Sequence, residues 1–252
     1  MKRAGIVWIC VWVLVALLAL TDVAAAQAPS PASIAAGGRL YDKWWKAAPG
    51  VKEPAGDQPL WASQASNKRK GDTTWRCKEC HGWDYRGKDG AYGSGSRRTG
   101  FPGVMAAQAK SVDQLRAILK GAADRRHDFS SLMDETALGH LANFLKHGLV
   151  DLTPAIDPKT KKPVKAAETR GKELSAMCAG CHGDDGKTLN FGTPEKPEYV
   201  GTVARENPWE FVHKVRFGQP GADPQMPTGL EAGWSLQDVL DVLAYSQSLP
   251  AK

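Results

Sequence analysis

Cysteine is scarce in this 252-residue chain, and none of it is spare. Of five cysteines, Cys10 falls in the apolar stretch near the N-terminus and the other four form two Cys-x-x-Cys pairs. No thiol is left for a disulfide, a catalytic nucleophile or a further metal site. Long apolar runs are equally rare: the one present, Ile6 to Leu20, has 15 residues, short of the roughly 20 that cross a bilayer. An acidic cluster of the kind that holds calcium between domains is missing. So are the βαβ flanks that a thioredoxin-like dithiol expects around its Cys-x-x-Cys.

What the chain has instead is one pentapeptide twice, Cys77-Lys78-Glu79-Cys80-His81 and Cys178-Ala179-Gly180-Cys181-His182. Cys-x-x-Cys-His is the attachment pattern of a c-type haem. Two thiols bond the two vinyl groups of one porphyrin, and the adjoining histidine is the proximal iron ligand. A zinc site built from the four thiolates is the competing reading, but it gives no reason for a histidine after each second cysteine. Two covalently bound haems are therefore expected, held by Cys77, Cys80, Cys178 and Cys181, with His81 and His182 on the irons.

Lys2 and Arg3, the apolar run, and Ala24-Ala25-Ala26 before Gln27 make the three parts of a secretory signal. Residues 1–26 are expected to leave on export to the periplasm, which suits a haem attached outside the cytoplasm. Left uncleaved, the same segment would be an N-terminal membrane anchor; no other segment reads as a transmembrane span. Cys10 then reads as a small apolar residue of the signal. The formal charge of +6 falls to +5 when Lys2, Arg3 and Asp22 leave, and haem propionates would offset more of it. The basic balance therefore predicts no nucleic-acid partner.

The two motifs sit in two copies of one module. Gly38-Arg39-Leu40-Tyr41 precedes the first as Gly171-Lys172-Glu173-Leu174 precedes the second, each reading as the start of a helix. Glycine-rich stretches follow, Gly87 to Gly103 and Gly183 to Gly192, that cannot be regular helix. Ser111 to Lys120 predicts a helix with Ser111 as N-cap, and Pro208 to Phe217 its counterpart with Pro208 at the first helical position. Both end at glycine, Gly121 and Gly218. A last helix closes each copy, Glu135 to His147 and Leu236 to Ser248. The fold class expected is all-α, with units at 27–153 and 166–252. Residues 154–165, with three prolines and four lysines, read as an exposed linker. The first copy carries about 32 extra residues between Gly38 and Cys77. This insert, at about 43–74, contains Trp44, Trp45, Trp61 and the basic run Lys68-Arg69-Lys70.

In this order of elements each half resembles a class I cytochrome c domain, and the whole is similar to the di-haem c-type cytochromes. The likeness is strongest from Cys178 to Tyr245, where Gly201-Thr202-Val203-Ala204, Asn207-Pro208-Trp209-Glu210 and Met226-Pro227 follow the family pattern. It is looser in the first half. The resemblance implies a few helices wrapped around one haem per half, and a distal iron ligand on the loop between the last two helices. In the second half that ligand would be Met226. In the first, aligning Gly121 with Gly218 brings His127 close to the place of Met226; Met133, beside Asp134 and Glu135, comes later in the loop, and Met105 is a more remote candidate. His140, His147 and His213 read as surface or packing residues. Arg97 and Arg98 are candidates to pair with a propionate.

The family implies an electron carrier, rather than an enzyme, passing single electrons between redox partner proteins, with no catalytic residue. Two rivals remain: a di-haem enzyme, thiosulfate dehydrogenase-like or peroxidase-like, and the cytochrome subunit of a larger oxidoreductase, which would associate with a membrane complex. The lack of a spare cysteine and of an acidic site counts against the enzyme. Thioether ligation raises the potential of a haem. Electrons are therefore expected to enter at the first haem and leave from the second. Lysines around the haem edges would suit an acidic partner.

Overall fold

A helix needs a cap, an apolar face and something to end it, and Ser30 and Pro31 supply the first of these. Ser30 accepts a hydrogen bond from Ser33 N at 3.2 Å and Pro31 occupies the first turn, where a missing N–H costs nothing. A computed structural model describes residues 28–251, so the expected signal, residues 1–26, lies outside the described residues. Among those described, the chain is helical, with isolated bridges and no strand, as the all-α expectation requires.

The first half contains α1 (Pro31–Ala47), α2 (Cys77–His81), α3 (Val112–Leu119) and α4 (Glu135–Asn143), the last continuing into a π-helical turn at Phe144–Gly148. The second contains α5 (Glu168–His182), α6 (Val200–Glu206), α7 (Pro208–Phe217) and α8 (Leu236–Ser248). Ser111 caps α3 in a reciprocal pair with Gln114, and Ser235 caps α8 with Asp238. The first helix of each half begins earlier than expected, at Pro31 and Glu168. α1 kinks at Lys43, where the insert begins, whereas α5 runs unbroken into its Cys-x-x-Cys-His.

The halves repeat one packing scheme. α1 crosses α4 and α5 crosses α8, each over a glycine. A Cβ on Gly37 would strike the carbonyl oxygen of His140, and one on Gly171 the carbonyl oxygen of Asp241. The counterpart of Gly171 is thus Gly37, one residue before the Gly38 that alignment suggested. Gly38 has a separate duty, since a Cβ there would strike the ring of Phe217 on α7. The 3₁₀ turn Met105–Ala109 packs on the end of the last helix of its half as α6 packs on α8.

Two apolar cores result, and each holds a ring from the other half. Phe217 completes the first, with Tyr41, Trp44, Leu138 and Phe144; Trp83 completes the second, with Val212, Val239 and Leu243. Polar ties cross the same boundary. Arg39 Nη1 donates to Phe217 O at 3.0 Å, Arg216 Nη1 to Gly148 O at 2.9 Å, and Tyr92 Oη to Asn207 Oδ1 at 2.5 Å. His213, expected at the surface or in packing, is fully buried there: Nε2 donates to Gly38 O at 2.9 Å, which leaves Nδ1 to accept from Tyr85 Oη at 2.8 Å. Asp42, also fully buried, pairs with Arg76 on its own half and with Lys214 on α7 at 2.7 Å.

Residues 154–165, read from the sequence as an exposed linker, are mostly exposed and are also fastened to the second half. Ile156 is buried in the second core and bridges to Pro163, Lys161 Nζ donates to Glu206 O at 2.8 Å, and Gln247 Nε2 donates back to Lys161 O at 2.7 Å. The segment is a turn docked on the second half. Its other lysines, Pro154 and Pro158 are exposed, while Ile156 and the Lys161 bond anchor it.

Candidate functional site

Both Cys-x-x-Cys-His sequences end their helix at a glycine in the left-handed region, Gly82 and Gly183, each with φ of 77°. The turns that follow are built alike. Gly82 N donates to Lys78 O at 2.9 Å as Gly183 N does to Ala179 O at 2.8 Å. The carbonyl of His81 accepts from Gly87 N at 2.9 Å and that of His182 from Thr188 N at 3.0 Å. The shared pattern follows from shared sequence, Cys-x-x-Cys-His-Gly, in which the glycine lets the chain reverse beneath the histidine.

In the first half, Cys77, Cys80 and His81 line a pocket with Leu60, Trp75, Phe101, His127 and Phe129. Burial pushes both thiols up to about 12, so they are neutral. Burial also lowers His81 to about 4, partly opposed by its hydrogen bond to the carbonyl of Pro102. That bond, 2.7 Å from Nδ1, fixes the tautomer: a carbonyl only accepts, so Nδ1 carries the proton and Nε2 keeps its lone pair. The ring of His127 stands 6.3 Å away, centroid to centroid, at 74°. Burial lowers its pKa as well, against the carbonyl of Ile118.

His127 ends the 3₁₀ turn Arg125–His127, its main-chain N–H on Asp124 O at 2.8 Å. Met133, the alternative from the sequence, is buried in the first core with its N–H on Phe129 O at 2.9 Å, and it does not line the pocket. Met105 packs at the edge of the same core. Arg97 and Arg98 are tied to the insert, through Asn67 Nδ2 to Arg97 O at 3.3 Å and Arg98 Nη1 to Ser66 Oγ at 3.2 Å.

The insert forms one wall of this pocket. Trp44 Nε1 donates to Trp75 O at 3.1 Å and Trp75 Nε1 to Gly56 O at 3.0 Å, while the rings of Trp44, Trp75 and Phe129 meet edge to face. Gln58 and Leu60 come from the same segment. Sequence reasoning missed Gln58, Trp75 and Pro102 because each acts across a long stretch of chain. The only local signal was the density of tryptophan, which marks a packed segment and not its place.

The second site is more open. Cys178 is half-buried and Cys181 exposed at the end of α5. Burial lowers His182, whose Nδ1 is enclosed without a hydrogen-bond partner. Phe191 lies 5.7 Å from its ring at 73°, and Met177, Leu189 and Phe191 remain 44 to 47% exposed, large apolar side chains with little to cover them. Met226 is half-buried on the loop after Gly218, itself in the left-handed region at φ 87°. The structure gathers Cys77, Cys80, His81 and His127 at one site and places Cys178, Cys181 and His182 together on the last turns of α5.

The residues present fit a covalent haem. Each turn offers two thiols three positions apart with an imidazole beside them, and the first adds a second imidazole across apolar walls. At the second site Phe191 stands beside His182, and Met177 and Leu189 add exposed apolar surface in the same half. The four thiols lie as two pairs on different helices, Cys77 and Cys80 on α2 and Cys178 and Cys181 on α5. No helix described is long and apolar enough to cross a membrane. No family model, no curated protein and no solved structure matches the chain.

Proposed function

We propose that the chain is an exported di-haem c-type cytochrome, two class I cytochrome c units in tandem, that carries single electrons between redox partners in the periplasm. The observation that carries this reading is the first site: two neutral thiols and a histidine whose free Nε2 lone pair shares a pocket with a second histidine. Cys77 and Cys80 would hold the first haem covalently with His81 and His127 on its iron, and Cys178 and Cys181 the second with His182 and Met226. Bound haem iron supplies one-electron chemistry by cycling between ferric and ferrous states.

The protein's own groups serve that role in distinct ways. The Pro102 carbonyl keeps the His81 proton on Nδ1, so the lone pair of Nε2 would be free to bind iron. Burial keeps both imidazoles of the first site neutral, and Trp75, Phe101 and Phe129 exclude water. If both His81 and His127 held the first haem, no iron position would be left open there, which would favour a carrier over an enzyme. An imidazole pair at one site and an imidazole with a thioether at the other give two potentials, the thioether site being the higher. Electrons would then enter at the first and leave from the second.

The test is mass spectrometry and spectroscopy of the exported chain. Two covalent porphyrins, a near-infrared sulfur-to-iron band from one haem only, and no carbon monoxide binding are expected. Exported protein without the added mass of two porphyrins would overturn the reading. A potentiometric titration that finds the first haem higher would reverse the direction.

A further inference from the structure

The insert has no counterpart in the second half, where α5 runs straight from Gly171 to Cys178. In the first half its 3₁₀ turn Pro59–Ser63 packs against Arg125–His127, the turn that bears His127. The contact centres on Gln58, which is 5% exposed. Its Nε2 donates to Arg126 O at 2.7 Å, the carbonyl of the peptide that leads into His127. Its Oε1 accepts from Leu60 N at 2.6 Å, and its own N–H donates to Thr74 Oγ1 at 2.9 Å, whose hydroxyl donates on to Gly71 O at 2.7 Å. The side-chain amide is thus fastened at one end inside the insert and at the other to the peptide before the histidine. The turn's own ties differ in kind. Asp124 accepts from Arg126 N at 2.9 Å and pairs with its guanidinium at 2.7 Å, both in solvent, where such links hold little.

We propose that Gln58 is a positioning residue for His127, and that the inserted segment exists to hold that imidazole opposite His81. The inference rests on the reading of His127 as an iron ligand. Without the bond from Gln58, the Arg126 carbonyl would lose its tie to the insert and the turn would hold His127 beside His81 less firmly. The second half has no such tie, and its expected ligand is a flexible thioether on a different kind of loop.

The experiment uses the full-length exported holoprotein, with two porphyrins verified by mass. Gln58→Leu removes the donor. Gln58→Glu keeps the shape and the bond from Leu60 N but loses the same donor, which keeps the question answerable if the first variant does not fold. Gln64→Leu is the control, because the Gln64 side chain bonds Asn67 within the insert and makes no bond to the turn that bears His127 among the described residues. Carbon monoxide binding to the reduced first haem reads the fraction with His127 out, and free imidazole should restore the low-spin spectrum. Wild type should bind none at ordinary carbon monoxide pressure; in a titration carried to high pressure either Gln58 variant is expected to respond at a pressure about tenfold lower than wild type, the scale of one buried hydrogen bond, and Gln64→Leu at the wild-type pressure. Gln58 variants that bind no more carbon monoxide than wild type would overturn the proposal. His127→Ala, run beside them, separates the two failures: if it alters the first-haem spectrum, only the positioning role falls, and if it does not, the ligand reading falls too.

Discussion

Tyr85 and His213, 128 residues apart in the chain, share a buried hydrogen bond of 2.8 Å in which the phenol donates to Nδ1. The other nitrogen is occupied by Gly38 O, so the imidazole is fully used only while both halves are in place. Tyr85→Phe would leave Nδ1 buried without a donor. A loss of about 1–3 kcal/mol is expected, read as a lower urea midpoint with an unchanged slope.

The same imidazole makes stability depend on pH. Burial lowers His213 to about 3 from an ordinary 6.5, against the attraction of Asp42. The unfolded chain takes up this proton below pH about 6.5, while the folded chain refuses it until about 3. The contribution is therefore complete above pH 6.5 and is lost progressively as the pH falls toward 3. Denaturation midpoints of wild type should drop across pH 6.5 to 4.5, and His213→Gln should start lower at pH 7 and fall less over that range. Equal slopes for the two proteins would show that His213 is not the group responsible.

Asp42 is held well below the usual carboxylate range by Lys214 and Arg76, against the opposing effect of burial. Lys214→Met removes one of its two partners and should cost about 3 kcal/mol, the low end for breaking a buried pair, because Arg76 remains. Adding Asp42→Asn to that variant should recover part of the loss. A double-mutant cycle with no coupling between the two positions would refute the pairing.

At the helix crossings, Gly37→Ala and Gly171→Ala each drive a methyl into a main-chain carbonyl, and a loss of about 1–3 kcal/mol or more is expected. Gly139→Ala, on α4 with nothing within 4 Å of the new methyl, should raise stability by about 0.5–1 kcal/mol. Thermal midpoints check all three. The contrast in sign sets contact apart from helix propensity.

Features governed by neighbours in sequence could be read from it. α3, α7 and α8 fall within a residue of expectation because Ser111, Pro208, Ser235, Gly121 and Gly218 are local stops and starts. The paired turns at Gly82 and Gly183 follow in the same way from the pentapeptide and its glycine. The starts of α1 and α5 were missed because alanine-rich and charged residues there carry no apolar period. In residues 154–165 a single buried isoleucine among prolines and lysines makes no pattern. Adjacent Gly37 and Gly38 serve different helices, which one-to-one alignment with Gly171 cannot express. At the first site His127 came from aligning the two copies, but the wall that faces it came from Gln58, 68 residues away from Arg126.

Phe217 and Trp83 each sit in the hydrophobic interior of the opposite half. Duplication normally leaves two interchangeable modules, but this exchange of rings makes them mutually dependent. A gene cut near codon 153 would yield two fragments, each displaying an orphan aromatic and each with a hole where its partner's belonged. Expressed alone they should aggregate, and mixed together they should complement one another.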